Sequence, residues 1–111
     1  MTSIERRRYE RVPFSARLTV VDLASGHRFK ANAIDISVVG MAFYAEKLFG
    51  NNSRIRIHIR LKDAGQEQPV EVGATVRRAR LEQDGAIMGA EFDAPLSPSH
   101  QPMLYERLSA G

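Results

Sequence analysis

The chain has 111 residues, of which 43% are hydrophobic and 26% are charged, with a net charge of +3 and no cysteine. This length allows one domain with one modest core, and the lack of cysteine excludes disulfides, thiolate metal sites and cysteine nucleophiles. No apolar run approaches the roughly 20 residues of a membrane helix. Because no apolar segment follows the basic opening residues, we expect a cytoplasmic protein without a secretory signal.

The beginning of the chain shows no apolar pattern and precedes Pro13, which disfavours helix at the residue before it. We therefore predict a flexible basic arm over residues 1–12, followed by a single domain over residues 13–108. The basic side chains of the arm are all arginines: Arg6, Arg7, Arg8 and Arg11. Arginine favours planar partners that accept two N–H groups at once, such as phosphate, carboxylate or the edge of guanine.

Two β-branched, apolar stretches predict a hairpin formed by residues 16–23 and 27–37, with Ser25-Gly26 as its turn. Within the second strand the apolar side chains change parity, since those up to Ala33 occupy one face and those from Ile34 onward the other. A bulge or sharp bend near Ala33-Ile34 would reconcile the two halves.

The end of that strand carries the turn sequence D-x-S-x-x-G. Alternation predicts Ile34 and Ile36 in the core and Asp35 and Ser37 facing solvent or a ligand. Gly40 is expected either to adopt a positive φ or to permit a close approach. Asp, Ser and Gly are also ordinary turn residues, so local turn capping is an alternative role for this motif.

The second half of the chain reads as further strands and a helix. In residues 54–62 apolar and polar side chains alternate strictly, which predicts that the isoleucines face the core and the arginines face solvent. The remaining expectations are a polar loop at 63–68, a strand at 70–81 with a register shift near Arg77-Arg78, a turn at Asp84-Gly85, a last strand ending at Phe92 and a short helix with Pro102 in its first turn. Six short strands favour an all-β fold, a small antiparallel barrel.

The sequence shows no arrangement of residues typical of a catalytic site. The three histidines, His27, His58 and His100, are far apart and lack the spacing of metal ligands. Ser37 has no nearby base, and Asp35 has no neighbouring carboxylate to raise its pKa. We therefore predict a binding module with no enzymatic activity and no metal.

Three motifs together resemble the PilZ domain family of bacterial cyclic di-GMP receptors, over roughly residues 5–108. They are R-x-x-x-R at Arg7 and Arg11, D-x-S-x-x-G at Asp35, Ser37 and Gly40, and G-x-x-F at Gly89 and Phe92. The resemblance implies a six-stranded antiparallel β-barrel followed by a helix. It also implies that the arginine arm and the D-x-S-x-x-G turn close on the two sides of cyclic di-GMP.

The chemistry of cyclic di-GMP suits these residues, because its phosphates and guanine O6/N7 edges accept from arginine while guanine N1 and N2 need an acceptor such as Asp35. Arg6 and Arg8 are expected to add phosphate or guanine contacts. By resemblance, Arg78 would supply an extra side chain that stacks on a base. Members with arginine at the position of Arg6 tend to hold two stacked molecules, so we expect two cyclic di-GMP molecules and no other cofactor.

The resulting hypothesis is a stand-alone cyclic di-GMP receptor that changes conformation on binding and signals to an unknown effector protein. One alternative is a small-barrel protein that binds RNA or single-stranded DNA along the arm and the Arg54 to Arg60 face. The low aromatic content of 7% argues against nucleic acid as a partner. A second alternative is a PilZ-like scaffold that acts through protein contacts alone.

Overall fold

The computed structural model of the chain describes residues 10–63 and 65–110. Within those ranges it contains seven strands and one helix. They are β1 (Val12–Pro13), β2 (Arg17–Asp22), β3 (Arg28–Ile36), β4 (Gly40–Ala45), β5 (Arg54–Asp63), β6 (Gln66–Glu82), β7 (Gly85–Phe92) and α1 (Pro102–Ala110).

Strands β2 to β7 form a closed ring in the order β3-β2-β5-β6-β7-β4, and β4 returns to pair with β3. Every pairing is antiparallel. The short strand β1 lies outside the ring and pairs with the end of β3. The predicted six-stranded antiparallel barrel is thereby confirmed, and closure leaves few unpaired strand edges.

The core fills the inside of the ring with side chains that alternate along each strand. Strand β5 shows the alternation most clearly, since Ile55, Ile57 and Ile59 are fully buried while the residues between them face outward. Phe43 and Met88, paired across β4 and β7, are also fully buried. The predicted core face of β5 is correct.

Both predicted irregularities are present as single-residue bulges. In β3 the register shifts between Ala33 and Asp35, so Ile34 is the extra residue. In β6 the shift lies between Val76 and Arg78, and Arg77 is the extra residue. The expectation that Ile34 belongs to the core was wrong, because its side chain is 42% exposed. The bulge resets the parity, so that Ala33 and Ile36 both face inward while Ile34 projects outward.

The polar stretch 63–68, predicted as a loop, is mostly strand. Strand β5 continues to Asp63 and β6 begins at Gln66, so the two strands stay paired almost up to the turn. Gly65 has a φ of 82°, which permits the tight reversal. Polar residues suit this position because both strands here lie at the exposed end of the hairpin.

The C-terminal helix α1 begins at Pro102, in agreement with the prediction that this proline occupies the first turn. Leu104 is fully buried and joins the helix to the core. At the other end of the helix, the Arg107 Nη2 atom donates to the Lys62 carbonyl over 3.2 Å. None of the helical segments within the described residues has the length and apolar character needed to cross a bilayer.

Gly40, the first residue of β4, permits a close approach between strands. A Cβ atom built there would collide with the Ala90 carbonyl of β7. The φ of Gly40 is not positive, so of the two expected roles the close approach is the one observed. The absence of a side chain at this position therefore allows β4 and β7 to close the barrel.

We expect Gly40→Ala to lower the free energy of unfolding by about 1 to 3 kcal/mol, because the new methyl group must displace a backbone carbonyl. Gly50→Ala is the matched control, since a Cβ at Gly50 would have only an ordinary contact at 3.7 Å with Ser53 Oγ. Urea unfolding measures both values, and the control should change by less than about 0.5 kcal/mol. Equal stability of the two variants would contradict the assigned role of Gly40.

Candidate functional site

Strand β1 holds Arg11 beside Asp35. Val12 pairs with Ile36 and Pro13 with Asp35, so the chain just before β1 runs past the end of β3. The Phe14 amide extends this pairing by donating to the Ile34 carbonyl over 3.1 Å. As a result the Arg11 Nη1 atom donates to Asp35 Oδ1 over 2.7 Å. One residue of the arginine motif is therefore in direct contact with the first residue of the turn motif.

The Arg11–Asp35 ion pair lies at the surface, with side chains that are 47% and 29% exposed. Exposed pairs of this kind contribute only about 0 to 1 kcal/mol to stability, since water and salt screen them. Breaking this ion pair, or sharing it with an incoming ligand, therefore costs little free energy. A carboxylate has about four acceptor sites, so Asp35 keeps further capacity to accept hydrogen bonds while Arg11 occupies one.

Ser37 has a different orientation from the one predicted. Its side chain is only 1% exposed, and its Oγ atom accepts from the Val39 and Gly40 amides over 3.3 and 3.2 Å. The expectation that this hydroxyl faces solvent was wrong, because Ser37 uses it to cap the amides of its own turn. A direct ligand contact by Ser37 stays a prediction, as does one by Gly40, which is itself buried.

The turn between β3 and β4 is fixed to the end of the barrel by backbone hydrogen bonds. The Phe92 amide donates to the Val39 carbonyl, and the Leu96 amide donates to the Val38 carbonyl, both over 2.8 Å. A third bond of 2.8 Å joins the Ser37 amide to the Gly40 carbonyl within the turn. These contacts hold the position of the turn, and with it the end of β3 that carries Asp35.

Four residues from four adjacent strands form a line across the outside of the barrel, which we call the outer row. Asp35 on β3 pairs with Ala42 on β4, Ala42 pairs with Gly89 on β7, and Gly89 pairs with Arg78 on β6. Residues paired in this way point to the same side of a sheet. At about 4.8 Å per strand, the path along the curved sheet from Asp35 to Arg78 is roughly 14 Å long.

The two middle positions of the outer row carry almost no side chain. Gly89 and Ala42 thus form a shallow floor between the carboxylate at one end and the guanidinium at the other. Consistent with a common face, a Cβ built on Gly89 would lie 3.9 Å from Arg78 Cβ. Because no large side chain projects from these two positions, a planar aromatic ring can be accepted there.

Three arginines follow one another closely on β6, and their pairing differs. Arg77 Nη2 lies 3.4 Å from Glu91, and Arg80 Nη2 lies 2.8 Å from Glu82. Arg78, the arginine of the outer row, is exposed and has no ion-pair partner among the described residues. Its guanidinium is therefore the one most available to a ligand.

The structure thus brings together two of the predicted site residues, Arg11 and Asp35, and places Arg78 at the other end of the outer row from Asp35. Arg6, Arg7 and Arg8 lie outside the described residues. Sequence reasoning missed Ala42, although its position between the inward-facing Met41 and Phe43 was a signal that it faces outward. Among the residues that the structure describes, no cluster of His, Asp or Glu side chains could hold a metal ion.

Comparisons with known proteins agree with this architecture. The chain resembles the Bacillus subtilis inhibitor of motility (MotI/DgrA), with 20% identity and a TM-score of 0.74 over 95% of this chain, and spans 51% of that protein. It also resembles the PilZ domain with c-di-GMP of YcgR from Escherichia coli, with 17% identity and a TM-score of 0.68, covering 95% of this chain and 90% of that one. No sequence among the curated proteins matches significantly. The PilZ domain family profile matches residues 5–109, and the chain therefore belongs to the PilZ domain family.

Proposed function

We propose that this chain is a receptor for cyclic di-GMP that acts by binding and not by catalysis. The observation that carries the proposal is the outer row, in which Asp35 and Arg78 stand at the two ends of a floor formed by Ala42 and Gly89 and Arg11 contacts Asp35. Family membership supports the proposal, as does the PilZ domain of YcgR, which was solved with c-di-GMP.

Each part of the ligand has a partner of suitable chemistry. A guanine presents N–H donors on N1 and N2, which the free acceptor sites of Asp35 can receive. The phosphates are anionic and suit Arg11 together with Arg6, Arg7 and Arg8 of the arm. The guanidinium of Arg78 can stack on a purine face that rests on Gly89 and Ala42.

Binding on this surface would change the environment of Arg11. The exposed Arg11–Asp35 pair contributes little stability, so a ligand that contacts both groups can rearrange it at low cost. We propose that this rearrangement, which continues into the basic arm, is the conformational change that signals to a separate effector protein in the cytoplasm.

The alternative of a nucleic-acid binder fits the structure less well. It requires the outward residues of β5 to provide a track of uncompensated positive charge. Instead four of them face a carboxylate at 3.0 to 3.6 Å, in the pairs Arg54–Asp93, Arg56–Glu71, His58–Glu71 and Arg60–Glu67. The face is thus largely neutralised by its neighbours, which favours the receptor.

Isothermal titration with cyclic di-GMP, GTP and an oligonucleotide tests the proposal. We expect binding of cyclic di-GMP alone, and Asp35→Ala should weaken it about ten- to hundredfold, since a guanine donor left unpaired costs about 1 to 3 kcal/mol. Arg11→Ala should weaken binding to a similar extent.

Arg54→Ala is the control for these variants, because it removes an exposed, ion-paired arginine outside the outer row. Its affinity should equal that of the unmodified protein, and thermal unfolding should report an intact fold in all three variants. Unchanged affinity in both Asp35→Ala and Arg11→Ala, or tighter binding of the oligonucleotide, would refute the proposal.

The same titration measures how many molecules bind, and we propose two. An intercalated pair brings four phosphates into one site, a charge density that the four arginines of the arm can offset. Arg6→Leu should lower the molar ratio from two toward one while binding persists. The salt dependence should be steep, because several ionic contacts are screened together. A ratio of one in the unmodified protein would show this part of the proposal to be incorrect.

A further inference from the structure

A second surface of the barrel has features that the proposed receptor function does not use. It is a groove of about 1910 Å³ lined by residues of β2 and β3, by the hairpin of β5 and β6 and by Arg107 near the end of α1. We call it the basic groove. Neither Arg11, Asp35 nor Arg78 lines it, and the bulge at Ile34 separates its part of β3 from the outer row.

The basic groove is strongly charged. Its lining includes seven Lys or Arg residues but only two acidic ones, Glu46 and Glu67. This excess of positive charge is larger than the net charge of +3 of the whole chain. Positive charge is therefore concentrated on this surface, and the remainder of the chain is negative in balance.

Most of these cations have no carboxylate partner within the described part of the chain. Arg60 pairs with Glu67 at 3.6 Å. The other six form no ion pair with a described residue: Arg17, Arg28, Lys30, Lys47, Lys62 and Arg107. By contrast, Arg54 and Arg56, which lie outside the basic groove, both face carboxylates. Clustered, unpaired cations favour binding of an acidic partner.

The shape and composition of the basic groove narrow the choice of that partner. A single-stranded nucleic acid needs aromatic faces on which its bases stack. Phe14 is buried, and the Phe29 ring packs edge-on against Phe49 at 5.1 Å with the Lys47 Nζ atom 5.1 Å from its centre. Of the Phe and Tyr rings in the lining only Tyr44 then remains, and the His58 ring lies against Glu71 at 3.5 Å, so too few rings are available for stacking. A planar bilayer matches a flat or convex surface better than a recess.

From these observations we infer that the basic groove is a docking site for an acidic segment of a partner protein, one rich in Asp and Glu. An extended or helical segment can enter a recess of this volume and bring its carboxylates to the unpaired cations. The inference is independent of cyclic di-GMP, since the residues that would carry it lie outside the outer row.

The test uses the whole protein without cyclic di-GMP and a deca-glutamate peptide as the probe. Amide chemical shifts should change on β2, on β3 before Ile34 and on the end of β5. Arg17→Gln/Lys30→Gln should weaken binding of the peptide by at least about tenfold, because both cations lie inside the basic groove. The matched control, Arg54→Gln/Arg56→Gln, removes the same charge outside it and should change the affinity by less than about twofold.

The inference would be overturned by no binding of the peptide, by equal weakening in both double variants, or by shifts centred on the outer row. Decauridylate and phosphatidylglycerol vesicles serve as probes for nucleic acid and membrane. If either of them binds more tightly than the peptide at equal salt, the result would also contradict an acidic protein partner. Cyclic di-GMP affinity should be the same in Arg17→Gln/Lys30→Gln as in the unmodified protein. Failure of the receptor proposal would thus be recognised separately.

Discussion

One extra residue in β3 determines which side of the barrel Asp35 occupies. Without the bulge at Ile34, alternation from Ala33 would turn Asp35 toward the core, where an ionised carboxylate is costly. With it, Asp35 faces outward and Ile36 takes the buried position. Because β1 pairs with the end of β3, Arg11 is then held in contact with the outward-facing Asp35 carboxylate. The outer row therefore depends on the bulge in β3 more than on any single polar contact.

The bulge in β6 has the corresponding effect at the other end of the outer row. Arg78 directly follows the extra residue Arg77, as Asp35 directly follows Ile34. Between them β4 and β7 pair in regular register and contribute Ala42 and Gly89. Bulges increase local twist and re-aim side chains, so the two bulges set charged groups at the two ends of the outer row.

Much of this architecture could be predicted because its causes are local. A change of parity among apolar residues within one strand indicates a bulge, and both bulges were located from this signal alone. The direction of the Ser37 hydroxyl could not be found in the same way, since capping and ligand binding call for the same residue types. The floor of the outer row could not be predicted either, because it depends on the register between β4 and β7, which are separated along the chain. The sequence of residues 63–68 does not distinguish a loop from the end of an exposed hairpin, because polar residues suit both equally.

The central claim is that a guanine rests on the floor of the outer row, between Asp35 and Arg78. Nuclear Overhauser effects between bound cyclic di-GMP and the isotope-labelled protein test it most directly. The account predicts cross-peaks from the guanine H8 and ribose protons to the Ala42 methyl group and the Gly89 α-protons. Strong ligand cross-peaks elsewhere on the barrel, with Ala42 and Gly89 unaffected, would contradict it.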